Sequence, residues 1–283
     1  MTAGTPRALE NQVAIVTGAG TEGEGVGVGR AIASVLAEQG ARLVLTDIDA
    51  GRVRETADLV AAKDAKAITV LGDVSSPADC QRVIDEAAEA FGTVDILVNN
   101  AAASIPGSVL TLSDADWDTV YSVIVMGAVR MSRAAIPVMA ERGHGAIVNI
   151  SSLASTVSSR SAAYGSAKGA LEALTRDMAV QHGRDGIRVN AVVPGYLNTP
   201  RVQKHVKGPE PASRQVRVLT SVELRNAVSP LGVEGNAWDV AWAVEYLASD
   251  RARFVTGVCL PVDGGVTPTS YLTMAPVIQE ELG

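Results

Sequence analysis

The sequence predicts an α/β fold in which a doubly wound parallel sheet of about seven strands is covered by helices on both faces. Three observations lead to this prediction. Strand and helix signals alternate along the 283 residues, which is typical of a parallel sheet with helical crossovers. The strand signals are short, continuous apolar runs, as strands buried on both faces require. The composition is 47% hydrophobic but only 4% aromatic, so small aliphatic side chains are expected to fill the core.

Seven runs rich in Val, Ile and Leu are the predicted strands. The first, at residues 13–17, reads Val-Ala-Ile-Val-Thr and leads into a glycine-rich turn. Its β-branched residues favour extended backbone. The other predicted strands are residues 41–47, 67–71, 95–99, 146–150, 187–193 and 258–261.

Helix signals fill most of the intervals between these strands. Ser76 followed by Pro77 is typical of a helix start, because Ser caps the first turn and Pro at the first helical position loses no hydrogen bond. Ser113 and Asp116 resemble a capping box before a long helix. The predicted helices are residues 29–39, 50–63, 77–91, 113–142, 162–181 and 236–247, and residues 196–228 are predicted to be a long irregular stretch.

The organisation of the chain predicts one domain. Nothing between residues 13 and 265 resembles a linker rich in Pro, Gly and Ser, so residues 1–283 are expected to form a single unit. Within it, residues 1–11 and 266–283 are expected to be terminal extensions, and residues 196–228 a substrate-loop region.

Composition excludes several classes of function. The formal net charge of −7, with no basic run to offset it, argues against nucleic acid or an anionic membrane as a partner. Cys80 and Cys259 are the two cysteines and indicate no disulfide framework. The three histidines are scattered without ligand spacing, so no metal site is predicted. Because the first ten residues are polar and no apolar run reaches about 18 residues, a soluble cytoplasmic protein is expected.

The first predicted strand ends in a turn with many glycines. Residues 17–29 read Thr-Gly-Ala-Gly-Thr-Glu-Gly-Glu-Gly-Val-Gly-Val-Gly, and such a turn between a strand and a helix can bind a pyrophosphate through backbone N–H groups. Asp47 closes the second predicted strand, 18 residues after Gly29. A carboxylate there can bind both ribose hydroxyls of NAD and would repel the 2′-phosphate of NADP. The turn and Asp47 together predict an NAD site.

A tyrosine and a lysine are the candidate catalytic pair. Tyr164 and Lys168 lie four residues apart in the predicted helix 162–181, so their side chains share one face. A phenol has a pKa near 10, and an ammonium group within about 4–6 Å lowers it. We therefore expect Lys168 to lower the pKa of Tyr164, which would then act as a general acid and base. The spacing alone is common on ordinary helices, so the pair gains meaning only from its neighbours in the chain.

In combination these residues resemble the short-chain dehydrogenase/reductase family over residues 12–265. Tyr164 and Lys168 match its Y-x-x-x-K motif, and the Ile-Ser-Ser at 150–152 resembles the segment that carries a substrate-orienting serine. The T-G-x-x-x-G-x-G turn is matched with about five extra residues inserted. The remaining matches are the acidic-Val pair Asp73-Val74, the N-N-A-G signature as Asn99-Asn-Ala-Ala102, Pro194-Gly195 with Thr199, and the closing Val255-Thr-Gly and Val262-Asp-Gly-Gly265.

The resemblance implies a Rossmann-like fold and a role for each matched residue. The implied reaction is reversible hydride transfer between NAD and a secondary alcohol or ketone. Tyr164 exchanges the hydroxyl proton, Lys168 lowers the pKa of Tyr164 and holds the nicotinamide ribose, and Ser152 hydrogen-bonds the substrate oxygen. The implied cofactor-binding residues are Gly18, Gly27, Val28, Gly29, Asp47, Asp73, Val74, Asn99, Ala101, Tyr164, Lys168, Pro194, Gly195 and Thr199.

The resemblance also implies a homotetramer. In this family the helices here predicted at 113–142 and 162–181 pair across a twofold axis. Both segments carry more apolar residues than one core-facing stripe needs. These residues are Val123, Val125, Met126 and Val129 in the first helix, and Ala170, Leu174 and Met178 in the second.

Two departures from the family pattern concern the catalytic residues. Ile124 stands where the family has an Asn that holds a water for the proton relay, so the proton is expected to leave by another route. The family's serine usually lies thirteen residues before the tyrosine, which is the position of Ser151, whereas Ser152 is twelve before Tyr164. We assign the role to Ser152 because the second Ser of Ile-Ser-Ser is the usual one.

A third departure is the insertion in the glycine turn. Residues 21–26 bring Glu22 and Glu24 close to the expected phosphate position. A carboxylate about 4 Å from a phosphate would cost roughly 1–4 kcal/mol, depending on screening. The insertion is therefore expected to bulge away and leave Gly18, Val28 and Gly29 beside the dinucleotide.

Alternative functions remain open at this point. Ile124 raises the possibility of an NAD-binding structural or sensing protein with little turnover, against which the intact Ser152, Tyr164 and Lys168 argue. A sugar-nucleotide epimerase is disfavoured because the chain has no room for that group's separate substrate domain. No motif identifies which small-molecule alcohol or ketone is the expected substrate. Basic residues in 196–228 either favour an anionic substrate or form a solvated exterior; they are Arg201, Lys204, Lys207, Arg214, Arg217 and Arg225, against Glu210 and Glu223.

Overall fold

The fold is built on one parallel sheet. The computed structural model describes residues 7–63, 65–206, 222–270 and 274. Its strands are β1 Val13–Thr17, β2 Arg42–Asp47, β3 Ala67–Leu71, β4 Ile96–Asn99, β5 Gly145–Ile150, β6 Ile187–Pro194, β7 Leu197–Asn198, β8 Gly235–Asn236 and β9 Cys259–Val262. Among the described residues, seven of them pair in parallel in the order β3-β2-β1-β4-β5-β6-β9, and β7 pairs with β8 separately. The predicted doubly wound fold is confirmed.

Helices cover both faces of this sheet. They are α1 Val28–Glu38, α2 Ala50–Ala61, α3 Pro77–Phe91, α4 Asp114–Glu141, α5 Ala162–His182, α6 Pro200–Val206, α7 Val222–Val228 and α8 Ala237–Ala248. One aliphatic cluster joins α1, α2 and α8 to one face. A second joins α3, α4 and α5 to the other face. The central strands β1, β4 and β5 are buried along their whole length, which explains why their sequences are continuously apolar.

The predicted helix starts are confirmed by side-chain hydrogen bonds. Ser76 accepts a hydrogen bond from the Asp79 N–H at 3.3 Å, and α3 begins at Pro77. Ser113 and Asp116 form the reciprocal capping box before α4. These caps satisfy N–H groups that have no partner within the helix, so the helix starts are decided locally.

The other predicted bounds agree with the structure to within one or two residues, apart from one segment. Residues 196–228 were expected to be irregular, but their described part contains β7, α6 and α7. That expectation is wrong there because short helices of seven residues carry too little periodicity to be recognised. Residues 207–221 lie outside the described residues, as do residues 1–6, 271–273 and 275–283 of the predicted terminal extensions.

The longest of these helices, α4, is apolar enough to resemble a membrane-spanning helix. By length and composition alone, α4 could cross a membrane. In the fold it packs on the sheet through Met131, Ala135 and Met139, which are at most 1% exposed. It also begins with a solvent-exposed capping box. α4 is therefore a core helix of a soluble fold.

Candidate active site

A cleft of about 530 Å³ opens where the strands end. Its walls come from the segments that follow β1, β2, β4, β5 and β6. This is the carboxyl edge of the sheet, beside the reversal of strand order between β1 and β4, where ligands of doubly wound folds bind. Ser152, Tyr164 and Lys168 line it together with every predicted cofactor-binding residue except Asn99.

Two residues of the glycine turn, Gly18 and Gly29, lie very close to each other. Gly18 has a φ of 60°, which favours glycine. A Cβ on Gly29 would lie 2.1 Å from the carbonyl oxygen of Gly18, so no side chain fits at position 29. The close contact exposes the first N–H groups of α1 to the cleft, in the arrangement that binds phosphate at a helix start.

Two residues that the sequence interpretation did not assign to the site hold this turn. The Asn100 side-chain amide donates to the carbonyl oxygens of Thr17 and Gly18, both at 2.9 Å. The Thr17 hydroxyl accepts from the Asn100 and Ala101 N–H groups, at 2.9 and 3.1 Å. The ends of β1 and β4 are thereby joined. The second Asn of the N-N-A-G signature was the available signal for this role.

The side chain of Asn99, a predicted cofactor-binding residue, does not line the cleft. Its side chain is buried and donates to the Asn149 side-chain oxygen at 2.8 Å. Asn149 in turn donates to the Thr175 hydroxyl at 2.9 Å. This chain of hydrogen bonds connects β4, β5 and α5 beneath the cleft. Asn99 is the last residue of β4, and it is the next residue, Asn100, whose side chain lines the cleft.

Asp47 is held in place by backbone N–H groups. One carboxylate oxygen accepts from the Gly20 N–H at 2.9 Å and the other from the Asp49 N–H at 3.1 Å. Each oxygen retains a lone pair that can accept one more hydrogen bond, as a pair of ribose hydroxyls would require. Arg52 also lines this end of the cleft and forms an ion pair with Asp49 at 3.2 Å.

The inserted segment 21–26 is tied back onto the turn. The Thr21 hydroxyl accepts from the Gly27 N–H at 3.1 Å, and Arg30 donates to the Gly25 carbonyl oxygen at 3.0 Å. At its tip the segment meets α6, since a Cβ on Gly25 would lie 3.3 Å from the Pro200 ring. The insertion therefore bridges the turn and the segment that follows β6.

The path of this insertion agrees with the expectation only in part. Glu24 is exposed and is not among the residues that line the cleft, as expected for an outward bulge. Thr21 and Glu22 do line the cleft, so for them the expectation was wrong. The physical reason is the Thr21 hydroxyl, whose bond to Gly27 pulls the first half of the insertion inward.

Local contacts bring the predicted catalytic residues Ser152 and Tyr164 together. The short 3-10 helix Leu153–Ser155 lies against α5, and a Cβ on Gly165 would be only 2.8 Å from the Ala154 carbonyl oxygen. The Gly of Tyr-Gly-Ser-Ala-Lys is therefore what allows this approach. Ser161 caps α5 by accepting from the Tyr164 N–H at 3.2 Å, which sets where Tyr164 stands on the helix.

The structure distinguishes the two adjacent serines. The Ser151 hydroxyl is buried and donates to the Glu172 carboxylate, with an oxygen–oxygen distance of 2.7 Å. The Ser152 hydroxyl lines the cleft and interacts with the Tyr164 phenol. Only Ser152 is therefore placed beside Tyr164 with its hydroxyl toward a ligand.

The pKa of Tyr164 does not shift in the expected direction. Burial raises the pKa of the phenol, while the Ser152 hydroxyl and the Arg201 charge act in the opposite direction. The prediction that Lys168 lowers the pKa of Tyr164 is therefore wrong for this arrangement. The lysine ammonium lies 5.5 Å from the centroid of the tyrosine ring and donates to the Ile150 carbonyl oxygen, and Lys168 is not among the groups that shift the pKa of the phenol.

Lys168 is a buried amine with an altered charge state. Its side chain is only 2% exposed, and its Nζ lies 2.5 Å from the Ile150 carbonyl oxygen. Burial lowers the pKa of Lys168 to about 7; Arg201 acts in the same direction and Glu172 against it. Near neutral pH the amine therefore exists in both the charged and the neutral form, as a group that passes protons requires.

Ile124 packs where the family pattern places a polar residue. It is 2% exposed and forms an apolar cluster with Ala163, Ala167 and Leu171. Its side chain has no atom that could bind water. At this position α4 and α5 are joined by apolar contact, and the proton path from Lys168 must use other groups.

The two ends of the cleft carry the remaining predicted residues. Gly195 and Thr199 follow β6, and a Cβ on Gly195 would collide with the Asp263 backbone at 2.6 Å. At the other end, the Asp73 side chain accepts from the Ser75 N–H at 2.8 Å. The cleft thus runs from the end of β3 to the end of β6, past the glycine turn in between.

Comparison with known proteins agrees with this geometry. A family model described as enoyl-(acyl carrier protein) reductase matches residues 23–267. A 2-(S)-hydroxypropyl-CoM dehydrogenase of Xanthobacter autotrophicus is 38% identical over 260 residues, which is 92% of this chain and 98% of the relative. A cis-4-hydroxycyclohexanecarboxylate dehydrogenase of Sinomonas cyclohexanicum is 38% identical over 266 residues, with 92% and 98% covered.

The fold is also that of solved structures. A short-chain dehydrogenase/reductase from Burkholderia xenovorans superposes with a TM-score of 0.85 at 36% identity, over 93% of this chain and 99% of the other. The sheet order, the glycine turn, the Tyr and Lys on α5 and these relatives all agree. The chain belongs to the short-chain dehydrogenase/reductase family and has the Rossmann-like fold of an oxidoreductase.

Proposed function

We propose that this protein is an NAD-dependent dehydrogenase that interconverts a secondary alcohol and a ketone. One observation carries the proposal: Ser152, Tyr164 and Lys168 line the same cleft as the glycine turn and Asp47. A group that can exchange a proton is therefore within one cavity of a site suited to a dinucleotide. The family's nicotinamide chemistry supports this assignment.

The residues present fit a nicotinamide dinucleotide. The missing side chain at Gly29 leaves the N-terminus of α1 open to a phosphate. The free lone pairs of Asp47 suit two ribose hydroxyls, and its negative charge disfavours a 2′-phosphate. This is the argument for NAD rather than NADP. When bound, NAD supplies the acceptor or donor of hydride.

The protein's own groups handle the proton and the oxygen atom. In the reducing direction Tyr164 donates its proton to the carbonyl oxygen, and in the oxidising direction it accepts the hydroxyl proton. Ser152 donates a hydrogen bond to the same oxygen and stabilises the negative charge that develops there. Lys168 holds the Ile150 carbonyl and has a pKa of about 7, so it can pass a proton onward in either direction.

The names of two relatives support an alcohol as substrate. The Xanthobacter protein is named for a hydroxypropyl compound and the Sinomonas protein for a hydroxycyclohexanecarboxylate. Both are named dehydrogenases. We extend from them only the reaction class, oxidation of a hydroxyl group, to this chain.

The test is NADH formation across a panel of secondary alcohols by the parent protein and by Tyr164→Phe. The variant keeps the ring but lacks the exchangeable proton, so turnover should fall at least about 100-fold, the low end of a general acid–base contribution. NAD binding by calorimetry should be unchanged. Tyr121→Phe, on α4 and outside the cleft, is the control.

The same experiment separates the two candidate functions. If the parent binds NAD but oxidises no alcohol and reduces no ketone, the structural or sensing function that Ile124 raised would replace the enzyme. If Tyr164→Phe retains more than about a hundredth of the parent rate, the assignment of the acid–base residue fails.

We further propose a cytoplasmic homotetramer. On α4, Met126 is 38% exposed, and on α5 Ala170 is half-buried. A second apolar surface lies on α8, where Trp238, Trp242 and Tyr246 are 36%, 47% and 39% exposed. Two separate self-complementary surfaces generate a tetramer. Light scattering at micromolar concentration should give four times the chain mass, and a monomer would contradict the proposal.

A further inference from the structure

One charged residue of the cleft has no role in the chemistry proposed above. Arg201 is the second residue of α6 and lines the cleft together with Ser152, Tyr164 and Lys168. α6 follows β6, the strand that pairs with β5, and β5 leads directly into Ser152, so Arg201 belongs to the same end of the sheet as the catalytic residues. The charge of Arg201 also acts to lower the pKa of Tyr164, against the larger effect of burial, and that of Lys168. The residue is nevertheless exposed, so a ligand can reach it.

The guanidinium of Arg201 is not used within the fold. Other arginines pair with carboxylates: Arg30 with Glu55 at 2.7 Å and Arg82 with Asp79 at 2.7 Å. In the part of the chain that the structure describes, Arg201 forms no ion pair and no hydrogen bond. An arginine carries five N–H donors in a planar fork that matches a carboxylate. These donors are available inside the cleft.

The distribution of charge in the cleft is uneven. Its described carboxylates are Glu22, Asp47 and Asp73, which follow β1, β2 and β3. The other lining residues near the end of β5 and β6 are neutral, apart from Lys168 and Arg201. The catalytic end therefore carries positive charge without a carboxylate in its lining. A concave site of one sign attracts ligands of the opposite sign.

We propose that Arg201 binds an acidic group of the substrate, so that the preferred substrates are hydroxy acids or keto acids rather than neutral alcohols or ketones. The proposal rests on the proposed function and names the substrate class of that site. The substrate carboxylate accepts two hydrogen bonds from Arg201 while its hydroxyl meets Ser152 and Tyr164. The carboxylate is unchanged in the reaction; it orients the substrate.

The pyrophosphate of the cofactor is the other anion that could reach Arg201. The phosphate position is set by the glycine turn, where Gly18 and Gly29 expose the start of α1. Arg201 follows β6, whose neighbour β5 leads to Ser152, whereas the glycine turn follows β1, which β4 and β5 separate from β6 in the sheet. This position favours the substrate. The experiment is designed so that these two anions give different results.

The test uses a panel of secondary hydroxy carboxylates of increasing length, each paired with its uncharged primary amide. Each compound is titrated by calorimetry into the full-length protein saturated with NADH, where no turnover occurs. The kcat/KM for NAD-dependent oxidation is then measured for every compound that turns over. Variants are Arg201→Gln, the charge-conserving Arg201→Lys, and Arg184→Gln as an exposed arginine outside the cleft.

We expect at least one acid to bind more tightly than its amide. Arg201→Gln should weaken binding and lower kcat/KM of that acid about 10- to 100-fold, the loss of a charge-assisted hydrogen bond pair, with little change for the amide. Arg201→Lys should recover part of the loss, and Arg184→Gln should have no effect. Affinity for NAD should stay within about twofold in all variants.

Three results would overturn the proposal. If no acid binds better than its amide, the cleft does not select acids. If Arg201→Gln weakens NAD and leaves the acids unaffected, the residue binds the cofactor phosphate. If Arg201→Gln weakens binding of the acid and of its amide equally, Arg201 only positions the segment that contains it. Failure of the proposed function looks different: acids then bind through Arg201 but are never oxidised.

Discussion

Two parts of the cleft are built by different physical means. The dinucleotide turn, residues 17–29 with Asp47, is held by a close Gly–Gly approach, by carboxylate bonds to N–H groups and by hydrogen bonds from the Asn100 side chain. The second part, here called the catalytic corner, consists of Ser152 and Tyr164, which are half-buried, and Lys168, which is buried; burial shifts the pKa of Tyr164 and of Lys168. The turn is proposed to bind the cofactor by shape and charge, and the corner is proposed to move a proton. Substitutions in the turn should therefore alter affinity, and substitutions in the corner should alter rate and pH dependence.

The strongest way to break the dinucleotide turn is to add one methyl group. Gly29→Ala places a Cβ 2.1 Å from the Gly18 carbonyl oxygen, and the backbone must move to relieve the contact. We expect NAD affinity to fall about 100-fold or more, measured by calorimetry. Circular dichroism should show that helix content is retained. Gly183→Ala, with no atom near the added Cβ, is the control, and an affinity of Gly29→Ala within tenfold of the parent would contradict the prediction.

A smaller effect on the same region is expected at Asp47. Asp47→Ala removes the acceptor for the ribose hydroxyls and the charge that repels a 2′-phosphate, while Arg52 remains beside the cleft. We expect NAD affinity to drop about 10- to 100-fold and NADP affinity to rise. The double variant with Arg52→Ala should lose the gain for NADP. Equal affinity of the parent for both dinucleotides would show that Asp47 does not discriminate between NAD and NADP.

The burial of Lys168 in the catalytic corner should make the stability of the fold depend on pH. The folded pKa of Lys168, about 7, lies below the ordinary value of 10.5. The unfolded chain therefore binds more protons between these values, and stability rises as pH increases from about 7 to 10.5. Below pH 7 Lys168 is charged in the folded state as well, and the full cost of burying this charge then lowers the stability of the fold.

Lys168→Met should therefore stabilise the folded chain at pH 6 by a few kcal/mol, about 2–4, and by little at pH 10. Urea unfolding of the protein without cofactor at both pH values measures the difference. Lys66→Met, at an exposed position, should show no such trend. Equal effects of Lys168→Met at both pH values would mean that the amine is solvated.

The smallest expected effect distinguishes the two glutamates of the insertion. Glu22 lines the cleft and Glu24 does not. Glu22→Gln removes a negative charge near the phosphate position and should raise NAD affinity about two- to fivefold at low salt. Glu24→Gln should leave it unchanged, and equal responses would show that both carboxylates are equally distant from the phosphate. Because surface charges are screened, the difference should shrink at high salt.

Local signals made much of the fold and part of the site predictable. The bounds of β1, β3 and α3 agree with the sequence because apolar runs and a Ser-Pro start are read from neighbouring residues. The glycine turn and the Tyr164–Lys168 pair were identified in the same way, from short motifs. The place of the Asn100 side chain in the cleft was missed because a motif does not state which side chains face it.

By itself, the sequence determined the alternation of strands and helices, the helix caps and the set of residues that meet at the carboxyl edge. The first two depend on chain-local periodicity or hydrogen bonding, and the third was implied by the resemblance to the family. The sequence assigned Ser152 rather than Ser151 from motif position, and the structure places the Ser152 hydroxyl in contact with the Tyr164 phenol. Only the tertiary structure decided the burial that lowers the pKa of Lys168 to about 7 and the place of Arg201 in the same cleft. The physical reason is that desolvation and charge interactions depend on everything packed around a group, including residues far away in the chain.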